Sequence, residues 1–229
     1  MPSKAETWLR DTLGYEFENP ELFLQALSHR SAAGESNERL EFLGDAVLDL
    51  VVSEFVFRSH ADAPEGDLSR LRSSLVKDTS LAGIAADLGL GEYLLLGGGE
   101  RKTGGHRRKS ILADALEAIF GAVYLDGGFE ASRRVIERAL GQRLVDLPAV
   151  EELRDPKTRL QEWLQARGRG LPGYELLTVS GAAHKRRFEV SCSVDGGAAA
   201  TSGIGSTRRN AEQESARQML EQLQGGLDE

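Results

Sequence analysis

Five carboxylates carry the most chemistry in this sequence. Glu38, Glu41 and Asp45 fall at spacings of three, four and seven, and Asp114 and Glu117 follow about seventy residues on, three apart. On a helix such spacings stack side chains on one face. Acids crowded in this way repel one another unless a cation joins them. Oxygen donors without imidazole suit a hard ion such as Mg²⁺ or Mn²⁺. A di-iron site in a helical bundle would ask for a histidine three residues after a glutamate, and none of His29, His60, His106 and His184 stands there. Metal-assisted chemistry on a phosphate group is the use these residues suggest. The same pattern also describes a solvated acidic helix face, the common role of such runs.

The elements that must position these acids read as helices. With Glu38 at zero on a wheel turning about 100° per residue, Glu41, Asp45 and Asp49 all fall within an arc of roughly 80°. Leu40, Leu43, Val47, Leu50 and Val51 gather on the other side, and Glu54 falls among them as an exception. Like charges four apart, such as Glu41 and Asp45, cost a helix roughly a few tenths of a kcal/mol, which a purely solvated face does not repay. On the second helix Asp114 and Glu117 share a face with Ala118 and Gly121, while Leu112, Leu116, Ile119 and Val123 point away. Small residues beside the acids let a neighbouring helix or a phosphate backbone come close.

Composition bounds the rest. The 229 residues fit one large domain or two small ones, and 40% apolar residues supply a core. One cysteine, Cys192, excludes a disulfide framework and a thiolate zinc site. No apolar signal core opens the chain, and Asp49 and Glu54 interrupt its most apolar stretch, residues 46–57. A soluble, cytoplasmic protein without a membrane partner is therefore expected. The net charge is −8, yet residues 155–229 hold ten basic and ten acidic side chains. The acid excess thus belongs to residues 1–154, and overall charge does not exclude a nucleic-acid partner.

Helical periodicity runs from residue 3 to about 145, with helices near 4–13, 20–28, 37–58, 67–74, 78–88, 110–125 and 129–145. Residues 145–156, with two prolines, read as a linker. A helix over 157–167, strands over 174–180, 186–194 and 198–202, and a helix over 207–223 follow. The expected fold is an all-α domain at 3–146, a linker at 147–154 and a small α+β domain of α-β-β-β-α order at 155–224. Trp8, Trp163 and Cys192 are expected to pack in cores, and His29, Arg30 and Ser31 to cap or pack between helices.

The stretch Glu38-Arg39-Leu40-Glu41-Phe42-Leu43-Gly44-Asp45 resembles the signature of ribonuclease III, the double-stranded-RNA endonuclease. Leu27-Ser28-His29-Arg30-Ser31, Glu65-Gly66-Asp67-Leu68-Ser69-Arg70 and the run from Lys109 to Ala118 agree with that family in order. The segment opening at Asp155-Pro156-Lys157-Thr158 resembles a double-stranded-RNA-binding domain, and the resemblance spans about Leu9 to Leu223. It implies that Glu41, Asp114 and Glu117 ligate Mg²⁺, with Mn²⁺ as a substitute. Asp45 and Glu117 would be catalytic, and Glu38 a supporting acid. It further implies a homodimer cutting both strands of an RNA duplex to 5′-phosphate and 3′-hydroxyl ends, with Phe42 at the dimer interface. Its substrates would be ribosomal RNA precursors, messenger RNAs and other structured RNAs.

A-form RNA is read by shape, through 2′-hydroxyls of the shallow minor groove and through phosphates. Thr158, Gln161 and Glu162 on the first helix of the second domain suit the hydroxyls. His184, in the turn between two strands, suits the next minor groove. Arg208 and Arg209 open the last helix, where N–H groups and the dipole favour phosphate; Asn210 stands where the family often has lysine. Arg107, Arg108 and Glu65 are further RNA-contact candidates. A protein of this composition that holds duplexes without cutting them is the competing reading; the full acid set weighs against it.

Overall fold

The first helix shows how the sequence sets its own boundaries. Ser3 accepts from the N–H of Glu6 at the start of α1 (Lys4–Leu13), and the Glu6 carboxylate accepts from the Ser3 N–H in return. Gly14 ends the helix at φ 70°, where a side chain would be strained. This computed structural model describes residues 3–149, 153–182, 185–197 and 199–225. They form two compact units that divide after Pro148.

In the first unit, α2 (Pro20–Ala26), α3 (Glu38–Ser59), α4 (Glu65–Val76) and α5 (Asp78–Asp87) precede the short α6 (Gly98–Lys102). The chain then enters α7 (Lys109–Leu140) and ends the unit with α8 (Gln142–Val145). The centre is the packing of α3 on α7, with α2 and α5 against α7 and α4 against α3. Leu48, Val52, Leu116, Ile119 and Phe120 are fully buried there.

α7 is a hairpin of two helical halves. Gly128, at φ 75° and ψ −175°, breaks it in a conformation open essentially to glycine alone. Residues 120 and 132 of a straight helix would stand about 18 Å apart, yet the Ser132 hydroxyl donates to the Phe120 carbonyl at 3.0 Å. The second half therefore folds back on the first, as separate helices at 110–125 and 129–145 anticipate. Asp126 secures the reversal by accepting from the Tyr15 hydroxyl at 2.7 Å and from the N–H groups of Glu18 and Asn19 at 2.9 Å.

The apolar side of α3 differs from the wheel reading. Leu40, Gly44, Val47, Leu48, Val51 and Val52 are buried, but Leu43 is only half-buried and Leu50 is 56% exposed. Leu50 belongs instead to an exposed apolar stripe with Phe42 and Phe57, which are 81% and 69% exposed. Glu54 ceases to be an exception. It receives Arg133 from the returning half of α7 at 2.5 Å and pairs with Arg58 one turn along.

The second unit runs α9 (Pro156–Gln165), β1 (Gly173–Ser180), β2 (Arg187–Val194), β3 (Ala199–Gly205) and α10 (Arg208–Gly225). The antiparallel sheet has the order β1-β2-β3, with Tyr174 opposite Cys192 and an irregularity between Leu176 and Thr178. Leu160, Leu164, Cys192, Val194, Met219 and Leu220 form its core. Trp163 packs partly buried against that core under the Arg167 guanidinium, 3.9 Å from its ring centre. β3 outruns its expected end at Ser202 because Gly203 and Gly205 let α10 lie directly on the strand. A Cβ on Gly203 would meet the Ser215 nitrogen at 2.2 Å. Ala198, expected to begin β3, lies outside the described residues.

Candidate metal centre and nucleic-acid interface

Asn37 seats the start of α3. It is buried, its N–H donates to the Ser28 carbonyl at 2.8 Å, and its own carbonyl accepts from Glu41 N–H at 2.9 Å. From that fixed start, α3 crosses α7 at two glycines. A Cβ built on Gly44 would lie 1.8 Å from the Glu117 carbonyl oxygen, and one on Gly121 would lie 2.2 Å from that of Leu40. Only hydrogen fits at either position, so the helices approach backbone to backbone. Each then offers its acids to the other.

The result is a cluster in which carboxylate oxygens of Glu41, Asp114 and Glu117 all lie within 4.8 Å of one another. Burial, first, and then Asp45, Glu41, Asp114 and Asp78 push the Glu117 carboxyl up to about 8. Burial, then Asp78, raises Asp114, and nearby His29 and Arg30 offset part of this. Glu41 is raised by burial and by Asp114, Glu38 and Asp45 in turn. Asp45, more open, is raised by partial burial and by Asp49. These groups are held at a cost that a cation would relieve. Around octahedral Mg²⁺, with bonds of about 2.1 Å, neighbouring oxygens stand about 3 Å apart and opposite ones about 4.2 Å. Separations bounded by 4.8 Å lie near that range, and all three carboxylates are the hard oxygen donors such an ion prefers.

A cleft of about 790 Å³ adjoins the cluster, lined by His29, Arg30, Glu38, Glu41, Glu100, Arg108 and Asp114 among others. Glu38 sits on its wall outside the triad, accepting from the Ser36 hydroxyl at 2.9 Å and facing Arg30 at 3.7 Å. Arg108 stands opposite, held by Glu100 at 2.9 Å, while Arg107 is exposed beside it. The cleft therefore brings the guanidinium groups of Arg30 and Arg108, each beside a carboxylate, next to the acid cluster, a combination that suits a phosphodiester. His29, Arg30 and Ser31, expected to cap or pack between helices, lie in the loop before α3: the imidazole Nδ1 meets the Ser31 hydroxyl at 2.8 Å, while Arg30 and Ser31 are exposed and line the cleft. His29 also lines the cleft.

Two expected residues lie elsewhere. Phe42 is in the exposed stripe of α3. Glu65 opens α4 and accepts from the Ser69 hydroxyl at 2.7 Å, in a groove shared with Leu50, Phe57 and Arg72. Sequence reasoning missed Asp78, the first residue of α5, whose charge reaches both Asp114 and Glu117. It also missed Glu100, the partner of Arg108. Neither shares a helix with the residues it joins, so only the packing of α5 and α6 reveals them.

On the second unit, Thr158 and Gln161 are exposed on α9, and Glu162 beside them pairs with Arg154 at 3.3 Å. Arg208 and Arg209 are exposed at the start of α10. His184 lies outside the described residues. Among the described residues, no helix is long and apolar enough to cross a membrane.

Comparison with known proteins agrees with this geometry. Residues 19–144 match the family described as Ribonuclease-III-like, and residues 156–223 match the double-stranded RNA binding motif. "Ribonuclease 3" of Alkalilimnicola ehrlichii is 53% identical over 224 residues, covering 98% of each chain. "Ribonuclease 3" of Hahella chejuensis is 51% identical over 229 residues, the full length of both. A solved nuclease domain of ribonuclease III from Campylobacter jejuni, described for flexibility in the region involved in its dimer formation, superposes with a TM-score of 0.58. It is 48% identical, covering 59% of this chain and 95% of that one.

Proposed function

The chain belongs to the ribonuclease III family, and from that premise we propose that it hydrolyses both strands of duplex RNA with Mg²⁺ held between α3 and α7. The carrying observation is the convergence of Glu41, Asp114 and Glu117 at the Gly44–Gly121 crossing, beside a cleft that also holds Arg30 and Arg108. Residues 3–146 are assigned to cutting, 147–154 to a linker and 155–224 to duplex binding.

Glu41, Asp114 and Glu117 bind the ion, which when present makes a water nucleophilic near neutral pH and stabilises the leaving oxygen. Mn²⁺ is expected to replace it, since the donors are all oxygens. Asp45, one turn beyond Glu41, orients the attacking water and takes its proton. Glu38 supports the cleft wall, and Arg107 and Arg108 hold the phosphates flanking the cut. Thr158 and Gln161 touch 2′-hydroxyls, with His184 in the neighbouring minor groove, and Arg208 and Arg209 meet phosphate. The chain acts as a homodimer through the Phe42 stripe, whose exposed rings ask for cover. Glu65, in the groove beside that stripe, contacts RNA in the assembled enzyme. Cytoplasmic ribosomal RNA precursors and other structured RNAs are the expected substrates.

The test is a plain RNA duplex of about 30 base pairs, long enough for one binding domain spanning about 16. It is incubated in Mg²⁺, in Ca²⁺ and in EDTA, with Asp45→Asn alongside. Cutting in Mg²⁺ alone, lost in the variant, is expected. Tight binding without cutting in every condition would hand the chain to the non-cleaving reading.

A further inference from the structure

Two carboxylates tie the N-terminal ends of α9 and α10 together, Asp155 at the cap of α9 and Glu212 in the second turn of α10, and both are engaged by side chains of the opposite helix. Glu212 of α10 accepts from Lys157 Nζ of α9 at 2.7 Å and from Arg208 Nε of its own helix at 2.9 Å. Its side chain is only 15% exposed. Lys157 is held a second way, its ammonium 4.2 Å from the centre of the Tyr174 ring. Asp155 caps α9 by accepting from the Lys157 N–H at 2.9 Å. Its second oxygen accepts from Gln213 Nε2 of α10 at 2.5 Å and faces Arg209 at 3.8 Å. The bracing is reciprocal: each helix start supplies one carboxylate that grips the other.

The two braced ends are the ones that the duplex-binding reading requires. α9 carries Thr158 and Gln161, and α10 opens with Arg208 and Arg209. On a rigid A-form helix the hydroxyls and the phosphates stand at fixed separation, so the two helix starts must be correctly spaced before both can engage. Long Lys and Arg side chains that are already ordered lose less freedom on binding. A counter-charge would otherwise be a liability. Each phosphate that a cation neutralises releases counterions from the duplex, and a cation already paired with a carboxylate releases fewer. The bracing and the charge penalty therefore predict opposite effects of removing the carboxylate.

We propose that Glu212 and Asp155 are positioning residues for duplex RNA, fixing the spacing between the hydroxyl-reading face of α9 and the phosphate-reading start of α10. This inference rests on the duplex-binding reading of the second unit. Neither carboxylate touches RNA; each acts through Lys157, Arg208, Arg209 and Gln213.

The experiment measures binding of the full-length chain to a duplex of about 30 base pairs, long enough for one binding domain, in EDTA across a salt series. The proteins compared are the parent, Glu212→Gln and Asp155→Asn. Asparagine caps a helix as well as aspartate, so Asp155→Asn keeps α9 and removes the oxygen that accepts from Gln213 together with the charge that faces Arg209. Both variants are expected to bind about threefold to tenfold more weakly, the cost of ordering one or two long side chains. The slope of log K against log salt should stay that of the parent, because the same phosphates are contacted. In Mg²⁺, KM for cleavage should rise with kcat unchanged. Equal or tighter binding by both variants, with a slope steeper by about one, would overturn the proposal and make Glu212 a mere counter-charge. Unaltered melting of the variants separates lost positioning from lost folding; if Glu212→Gln unfolds, Asp155→Asn decides alone. A parent chain that fails to hold the duplex would remove the underlying reading instead.

Discussion

Gly44 stands so close to Glu117 that a methyl group on the first would lie 1.8 Å from the carbonyl oxygen of the second. The acids of α3 and α7 can share an ion because two residues with no side chain bring the backbones together. Gly44→Ala must therefore push the helices apart. Overpacking against backbone costs about 3 kcal/mol or more, which should appear as a drop in melting temperature of roughly 10 °C. The stabilisation given by Mg²⁺ should shrink with it. An alanine variant that melts and responds to Mg²⁺ as the parent does would show that the crossing is not tight.

Glu117→Gln should separate stability from activity. Burial, and then the charges of Asp45, Glu41, Asp114 and Asp78, disfavour the ionised form, so a permanently neutral isostere escapes the cost of taking up a proton on folding and should raise the melting temperature in EDTA at neutral pH. Cleavage should fall at least about a hundredfold, as expected for loss of a ligand at a hydrolytic metal site. Wild-type cleavage by this variant would refute its place at the metal.

The pH dependence follows from the same residue. With a folded value of about 8 against an ordinary value of 4.5, Glu117 holds its proton in the metal-free native state where the unfolded chain has released it. Between those two values the native state binds more protons, so this group makes metal-free stability fall as pH rises from about 4.5 to 8. Mg²⁺ needs the deprotonated form, so its affinity should rise with pH up to about 8 and level off above. Calorimetry in buffers of different ionisation enthalpy should record a proton released on Mg²⁺ binding at about pH 7. An equal rise in melting temperature from Mg²⁺ at about pH 6 and about pH 8.5 would contradict the shift.

Phe42→Glu tests the apolar stripe. The chain weighs 24.9 kDa, and sedimentation should give about twice that for the parent at micromolar concentration, with the variant shifted towards the single chain. A charge at the centre of an apolar contact typically costs several kcal/mol of association. If the variant sediments as the parent does, Phe42 lies outside the contact.

Much of this site is written in local spacing. The intervals among Glu41, Asp114 and Glu117 announce two acidic helix faces, and Gly121 beside them announces close approach. The alternation of Val190, Cys192 and Val194 gives β2 its buried side. A wheel fails where a helix has more than one kind of neighbour. Leu50 and Val51 are adjacent and both apolar, yet Val51 meets the core and Leu50 meets solvent. Nothing in their identity separates them, because an exposed apolar stripe looks the same in sequence as a core. Glu54 looked misplaced until the chain reversal at Gly128 delivered Arg133 to it. Asp78 and Glu100 join the site through tertiary packing alone. The pairing of Lys157 with Glu212 spans 55 positions and has no local signature.

The reversal of α7 should also order the assembly of the enzyme in time. Ser132 and Phe120 are twelve residues apart, so the two halves can close on each other quickly, whereas Gly44 and Glu117 must find one another across more than seventy. The half-site bearing Asp114 and Glu117 should thus form as a local, early structure, with α3 completing it by a long-range encounter. Pulse-labelled hydrogen exchange during refolding should protect amides of residues 115–123 before those of 47–56. A nascent chain that has not yet docked α3 accordingly has no assembled centre with which to damage RNA.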